Sequence, residues 1–479
     1  MTRRRSRTVS RVPALTVLLP LVMFFSFLVA LFFTGGSARS DQSGVLILRP
    51  LAVVFTGVSL FFMGRTAFQT VKGPLLLLAG LAALIALQLV PLPPTIWSLF
   101  PGRSGYMEIF EALQLEAPWL PITHFPVRTW NSLVSLVVPL AALTTYAILQ
   151  RRHKDLLVAL LIGFGILSAV LGFMQVLSGG DRALYLYSIA NFKSNCGFFA
   201  NRNHQAVFQV GVLLLIPYAR MAYNRNRVQP YALNMLAVAM IGLLVFSIFT
   251  TGSRIGFALG LLAAIWSGWK IYGLIDASEK SDVRFAREKF SLSARAQKRV
   301  VPVLILAIAL AALVAPRSLV LDRLVSDDAE APIEDMRVNI LKNSLDMIPD
   351  NLPFGGGAGT FPDVYKGYES ADNISYRYVN HAHNDLLELV YELGILGIVL
   401  LLLCLLLLGK WAVAAKRAGD DEWEEVKPML GILLVFFIAS LFDYPARTPI
   451  GASFLSLIVA RIYIVGTTTK GLNEARQPE

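Results

Sequence analysis

The sequence predicts an all-α polytopic membrane protein of about twelve transmembrane helices, with one large outer loop at about 316–385 between the ninth and tenth. Three observations carry this. Of 479 residues 55% are hydrophobic, only 16% are charged, and mean hydropathy is +0.60, outside the range of an ordinary water-soluble domain. Apolar runs of spanning length recur along the chain. The Lys and Arg residues concentrate in alternate connecting segments, as the positive-inside rule requires.

The apolar runs fall at about 12–33, 50–64, 74–92, 131–149, 156–178, 205–221, 232–250, 255–272, 301–315, 386–408, 429–442 and 449–466. The runs near 50, 301 and 429 are short. The N-terminal Met-Thr-Arg-Arg-Arg-Ser-Arg is like a signal-peptide n-region, but the following run exceeds the usual hydrophobic core, so it is read as an uncleaved first span. With that basic end in the cytoplasm, both termini are cytoplasmic. Basic clusters at 151–154, 220–227, 280–299 and 410–427 then anchor the inner side. A formal charge of +11 is thereby accounted for by topology and not by nucleic-acid binding. Two cysteines, Cys196 and Cys404, cannot make a disulfide framework or a metal cluster.

Three outer segments exceed simple connectors. Residues 93–130 mix prolines, Pro94, Pro101, Pro118, Pro121 and Pro126 among them, with aromatics, implying an irregular or interfacial piece; 178–204 are polar; and the 316–385 loop alone is long enough for a small fold of its own. Residues 273–300 read as a charged, Ser-rich cytoplasmic loop, and the tail after Gly466 is short and polar. The chain divides into 1–130 (three helices and an outer loop), 131–410 (the core with its large loop) and 411–479 (two helices and a cytoplasmic tail).

Chemistry gathers at His381 to Gly397, His-Ala-His-Asn-Asp-Leu-Leu-Glu-Leu-Val-Tyr-Glu-Leu-Gly-Ile-Leu-Gly, where ionisable residues run into an apolar helix. Asp385 and Glu388 have the spacing of a capping box, with Asp in place of Ser or Thr. Asp385, Glu388 and Glu392 share one helical stripe, and carboxylates entering lipid face a protein interior or a wet cavity. His381 and His383, just ahead, suit general-base chemistry better than metal chelation, since capping already accounts for the nearby carboxylates. Arg254 sits in a short outer turn between two apolar spans, where desolvation strengthens its hold on an anion; snorkelling to headgroups of membrane lipids is the plainer alternative. Arg202 is a second candidate for a phosphate or sugar contact, Lys193 a weaker third, and Asn203 a candidate helix cap. The Gly355–Gly357 run is followed by no Gly-Lys-Ser/Thr and reads as a sharp turn, not a P-loop. His124 and His153 read as structural.

The order Gly-Ser-Arg254 at the head of a span, Arg337 followed by Asp-Met-Ile-Pro-Asp-Asn-Leu-Pro-Phe-Gly-Gly-Gly-Ala-Gly-Thr-Phe, and His383-Asn384 leading into Leu-Glu-Leu-Val-Tyr-Glu-Leu-Gly resembles the O-antigen ligase and O-antigen polymerase superfamily over roughly 130–410. The resemblance implies a GT-C-like glycosyltransferase of the bacterial inner membrane, taking a glycan from undecaprenyl diphosphate at the periplasmic face. It implies inversion at the sugar, and neither a nucleotide nor a metal cofactor. The acceptor would be lipid A core, another repeat unit in O-antigen or exopolysaccharide synthesis, or, in a related variant, protein, with other polysaccharide assembly proteins as possible partners.

By the same resemblance Arg254 and Arg337 hold the diphosphate and His383 activates the acceptor. His381, Arg202, Asn384, Asp385 and Glu388 follow as substrate-binding candidates, and the triple glycine departs from the family's pattern. The rival readings are a twelve-span transporter or flippase of a lipid-linked glycan, and a structural scaffold. The gathering of polar residues on the outer side and the single long loop argue against the internal symmetry common in transporters.

Overall fold

The computed structural model describes residues 14–39, 42–223, 230–282, 331–369 and 379–474. Its long helices are α1 (Ala14–Thr34), α2 (Ser43–Phe62), α3 (Lys72–Leu87), α4 (Pro126–Ser135), α5 (Val137–Ala147), α6 (Leu156–Leu177), α7 (Arg202–Tyr223), α8 (Pro230–Thr250), α9 (Arg254–Asp282), α10 (Ala331–Asn351), α11 (Asp385–Ala418), α12 (Asp420–Ala439) and α13 (Pro449–Glu474). Among the described residues eight helical segments, Pro126–Ala147 one of them, are long and apolar enough to cross a membrane, so this is a multi-pass membrane protein. The two shorter apolar helices Leu18–Thr34 and Lys72–Leu87 coincide with further expected spans. The 429–442 run forms the end of α12, whose first turn carries Asp420, Asp421 and Glu422. The 301–315 run, residues 283–300 of the Ser-rich segment, and parts of the large loop lie outside the described residues.

The hydrophobic core is built around α7. Its residues from His204 to Pro217 are all buried, which is the signature of a helix surrounded by others. It packs against α6, α8, α9 and α12. Close approach is bought by small residues: a Cβ on Gly256 of α9 would lie 2.4 Å from Ala206 Cβ of α7. Those two helices therefore begin at the same end of the bundle. At the opposite end Arg461 of α13 bonds Glu425 of α12 and Asp155, and Lys270 pairs with Glu424 at 2.8 Å.

Residues 93–130, expected to be irregular, do contain order. Pro91–Leu92 pairs antiparallel with Leu120–Pro121, and short helices Pro94–Trp97 and Ser104–Ala112 lie between them.

Helix α11 is broken. Gly394 takes φ 60° and ψ −150°, so the Ile395 amide donates to the Pro353 carbonyl at 2.9 Å and leaves the preceding turn's carbonyls free. In a lipid-embedded helix such carbonyls need other donors. The glycine run supplies them, with Gly356 N donating to Tyr391 O (2.8 Å) and Gly357 N to Glu392 O (3.2 Å). Gly355 (φ 82°) and Gly357 (φ 111°) give the left-handed turns this docking needs. The expected sharp turn is thus present, and its function is to seal a broken helix.

Candidate active site

Two buried charge clusters meet where α7, α9 and α11 begin and the 440–448 turn crosses them. The first centres on Arg447. Its Nε lies 2.8 Å from Asp385 Oδ1, and its Nη1 is 3.1 Å from Glu388 Oε1 and 2.9 Å from Glu392 Oε2. The stripe of three carboxylates therefore does face the protein interior. Burial alone would weaken the charged guanidinium, but Glu388, Glu392 and Asp385 outweigh it and hold its pKa above the ordinary arginine value.

The capping expectation is off by one residue. Asn384 is the N-cap, its Oδ1 accepting from Leu387 N at 3.0 Å. Asp385 is instead drawn sideways, where it accepts from Ser440 Oγ at 2.8 Å as well as from Arg447. Glu388 reaches back, as a capping glutamate would, but to Ala382 N (2.8 Å) and to His381 Nδ1 (2.7 Å).

The second cluster centres on Asp443. Its side chain is 2% exposed and its Oδ1 lies 3.5 Å from both His204 Nε2 and His383 Nδ1. The Oδ2 accepts from Asn203 Nδ2 at 2.7 Å and from Asn201 Nδ2 at 3.4 Å. Asn203 is thus a carboxylate ligand and not the cap of α7; the Asn203 amide is itself capped by Asn201 Oδ1 at 2.8 Å. Burial acts to raise the Asp443 carboxyl, yet the facing imidazole of His204, with that of His383, holds it well below the usual carboxylate range.

Tyr444 sits among the histidines, with ring centroids 4.2 Å from His381, 4.9 Å from His204 and 5.2 Å from His383. Burial and then the Asp443 charge push its phenol well above its ordinary value, so it remains a neutral donor.

His383 has φ 53°, one of three non-glycine positive-φ residues among those described. Such strain costs about 1 kcal/mol or more and persists where surrounding contacts enforce it. Its side chain is 25% exposed, the most open of the three histidines in the cluster. Geometry therefore gives His383 an imidazole with one nitrogen toward a carboxylate and an edge reachable from outside.

Arg254 opens α9 and is exposed. It stands two residues ahead of Gly256, as His204 stands two ahead of the Ala206 against which Gly256 packs. This brings Arg254 to the His204 end of the bundle. Arg337 is exposed on α10, one turn before Ile340, which is buried in the same cluster as Ala382, the residue between His381 and His383. Arg202 is the first residue of α7, its amide donating to Asn191 Oδ1 at 3.0 Å. His124 and Lys193 stay outside these clusters; His124 bonds Asn351 and Tyr106.

Residues 236–402 match the family model for O-antigen ligase. Over that segment the match supports the resemblance to the O-antigen ligase and polymerase superfamily. No curated protein matches the chain. The O-antigen ligase domain contains Arg254, Arg337, His381, His383, Asn384, Asp385, Glu388 and Glu392, whereas their partners His204, Asp443, Tyr444 and Arg447 lie outside it. Asp443, Tyr444 and Arg447 were not among the residues sequence reasoning singled out. A signal existed: Asp443-Tyr444-Pro445-Ala446-Arg447 is a short charged turn between two apolar runs, the same pattern that marks Arg254.

Proposed function

We propose that this O-antigen ligase-type protein transfers or polymerises a glycan carried on undecaprenyl diphosphate, at the periplasmic face of the bacterial inner membrane, in cell-surface polysaccharide synthesis. The observation that carries the reading is the convergence of His383, its carboxylate Asp443 and the head of Arg254's helix at one end of the bundle. That arrangement combines a base with a cationic approach, the two requirements of transfer from a diphosphate.

In this scheme the acceptor hydroxyl gives its proton to the His383 nitrogen that does not face Asp443. The freed oxygen forms a bond to the anomeric carbon from the side opposite the diphosphate, and the bond from that carbon to the diphosphate oxygen breaks, inverting the sugar. The lipid diphosphate leaves with the electron pair, and Arg254 and Arg337 stabilise its charge, so that no metal or nucleotide is called for. Asp443 stabilises the imidazolium, as the carboxylate does in other His-carboxylate pairs. Arg202 and His381 are the phosphate and sugar contacts in this scheme, whereas Asn384, Asp385 and Glu388 are engaged as the N-cap of α11 and on Arg447 and hold the frame behind them.

The test is transfer in membranes at matched protein levels. His383→Ala, Arg254→Ala and Arg337→Ala should each lower turnover by at least about 100-fold, the usual worth of a general base or a lost charge contact. Full turnover in His383→Ala would remove it as the base, and loss of turnover on adding EDTA would overturn the metal-free scheme. Product analysis after gene deletion separates the acceptors. Loss of long chains with single repeats still on lipid A marks a polymerase, and loss of all capping marks a ligase.

A further inference from the structure

The glycine run gives the broken turn of α11 two amide donors, and a residue far outside the O-antigen ligase domain adds a side-chain amide to the same turn. Gln88, directly after α3, is 4% exposed. Its Nε2 donates to Glu392 O at 2.7 Å and to Phe354 O at 3.1 Å, and its Oε1 accepts from Ala358 N at 3.0 Å. Its own carbonyl accepts from Thr123 N at 3.1 Å. One carboxamide thus joins three strands of chain: the end of α3, the unwound turn of α11 and both arms of the glycine loop.

The consequence runs directly into the charge cluster. The next loop amide, Gly359 N, donates to Glu392 Oε1 at 2.7 Å, while Glu392 Oε2 takes Arg447 Nη1 at 2.9 Å. Gln88 therefore grips Glu392 twice, once through its main-chain carbonyl and once through the loop that holds its carboxylate. Arg447 then passes that position to Asp385 and to Glu388, the partner of His381.

We propose that Gln88 is a positioning residue: its carboxamide locks the glycine loop onto the broken turn of α11 and so fixes the Glu392–Arg447 cluster beside the histidines. This rests on the reading of that cluster as the transfer site. A side chain without an amide at this place loses two donor bonds and one acceptor bond together. The Phe354 carbonyl and the Ala358 amide then lose the partner that Gln88 gives them, and Glu392 O keeps only the longer bond from Gly357 N, so the loop and the turn shift to find water or other partners.

The test uses the full-length protein purified in lipid nanodiscs, with the lipid-linked glycan extracted from its own membranes as donor. Gln88→Met keeps the side-chain length and removes the amide. It should lower kcat by at least about tenfold, the scale seen when a supporting hydrogen bond behind functional groups is removed. Donor KM should stay within about twofold, and amide hydrogen exchange should quicken at 355–359 while that of α7 is unchanged. Retention of the wild-type kcat, or exchange at 355–359 equal to wild type, overturns the inference.

Should Gln88→Met fail to accumulate, Gln88→Glu carries the test. A protonated glutamic acid has a donor and an acceptor like glutamine, so its activity relative to wild type should climb as pH falls; a ratio flat with pH overturns the inference. A wild-type protein that transfers no glycan sinks the functional reading and this inference with it, whereas an active wild type with an equally active Gln88→Met sinks this inference alone.

Discussion

His383 Nδ1 lies 3.5 Å from Asp443 Oδ1, an approach made across the bundle between the entry to α11 and the turn that precedes α13. The same oxygen faces His204 Nε2 at 3.5 Å, so one buried carboxylate serves two imidazoles. The approach to His383 is a charge contact and not a hydrogen bond, and a buried carboxylate this near lowers the energy of the imidazolium formed when the ring accepts a proton.

Asp443→Asn should accordingly lower turnover by roughly 10² to 10⁴, because it keeps the shape while removing the charge that stabilises the imidazolium. The effect should appear in kcat and leave donor KM nearly unchanged. His204→Gln should cost much less, since it retains a polar group beside Asp443 and leaves His383 its carboxylate. Steady-state kinetics on both variants decide the matter: equal losses would mean that Asp443 supports the fold of α7 and not the chemistry of His383.

Arg447 presents the converse situation, one guanidinium among three carboxylates. Removing it strands Asp385, Glu388 and Glu392 without their cation, and breaking a buried ion pair from one side costs about 3–5 kcal/mol. Arg447→Ala should therefore reduce the folded yield and lower the melting temperature in detergent. Arg447→Lys should recover little, because a single ammonium cannot reach partners on both sides of the fork. Glu392→Gln should be milder than either, as it lessens the excess negative charge and leaves the guanidinium two carboxylates. A melting temperature for Arg447→Ala equal to that of Glu392→Gln would refute this account.

These two residues also show where sequence reading stops. The helices were legible because lipid demands long apolar runs, and eleven of the twelve expected runs fall on described helices. His383 and the Asp385, Glu388, Glu392 stripe were legible because charge at a helix entrance violates that demand. What the pattern hides is pairing. Asp385 has the spacing of a cap but turns to Arg447, so Asn384 caps instead, and nothing within ten residues of either announces it. Gln88 is one polar residue after an apolar run, ordinary until the break at Gly394 needs its amide. Such roles come from tertiary contact alone.

His124 offers a prediction with a definite sign. Its Nε2 lies 2.8 Å from Asn351 Oδ1, whose own amide nitrogen donates to Met347 O at 2.7 Å, so this oxygen accepts and Nε2 carries the proton. Nδ1 is then the acceptor for Tyr106 Oη, 3.3 Å away. The ring is neutral in this arrangement. Burial first, and then the nearby Arg103 guanidinium, lower its pKa from 6.5 to about 4, and the bond to Asn351 opposes them only in part. The unfolded chain therefore binds a proton between pH 6.5 and about 4 that the folded chain refuses. Stability falls as pH drops through that window, by up to about 3 kcal/mol at 1.36 kcal/mol per pKa unit, and His124 adds no pH dependence above it. His124→Gln has no such proton to refuse. Its melting temperature should begin lower at pH 7 and decline less steeply between pH 6.5 and 4.5 than that of the wild type. Parallel declines in the two proteins would show that His124 takes up its proton equally in the folded and the unfolded chain, and would refute this account.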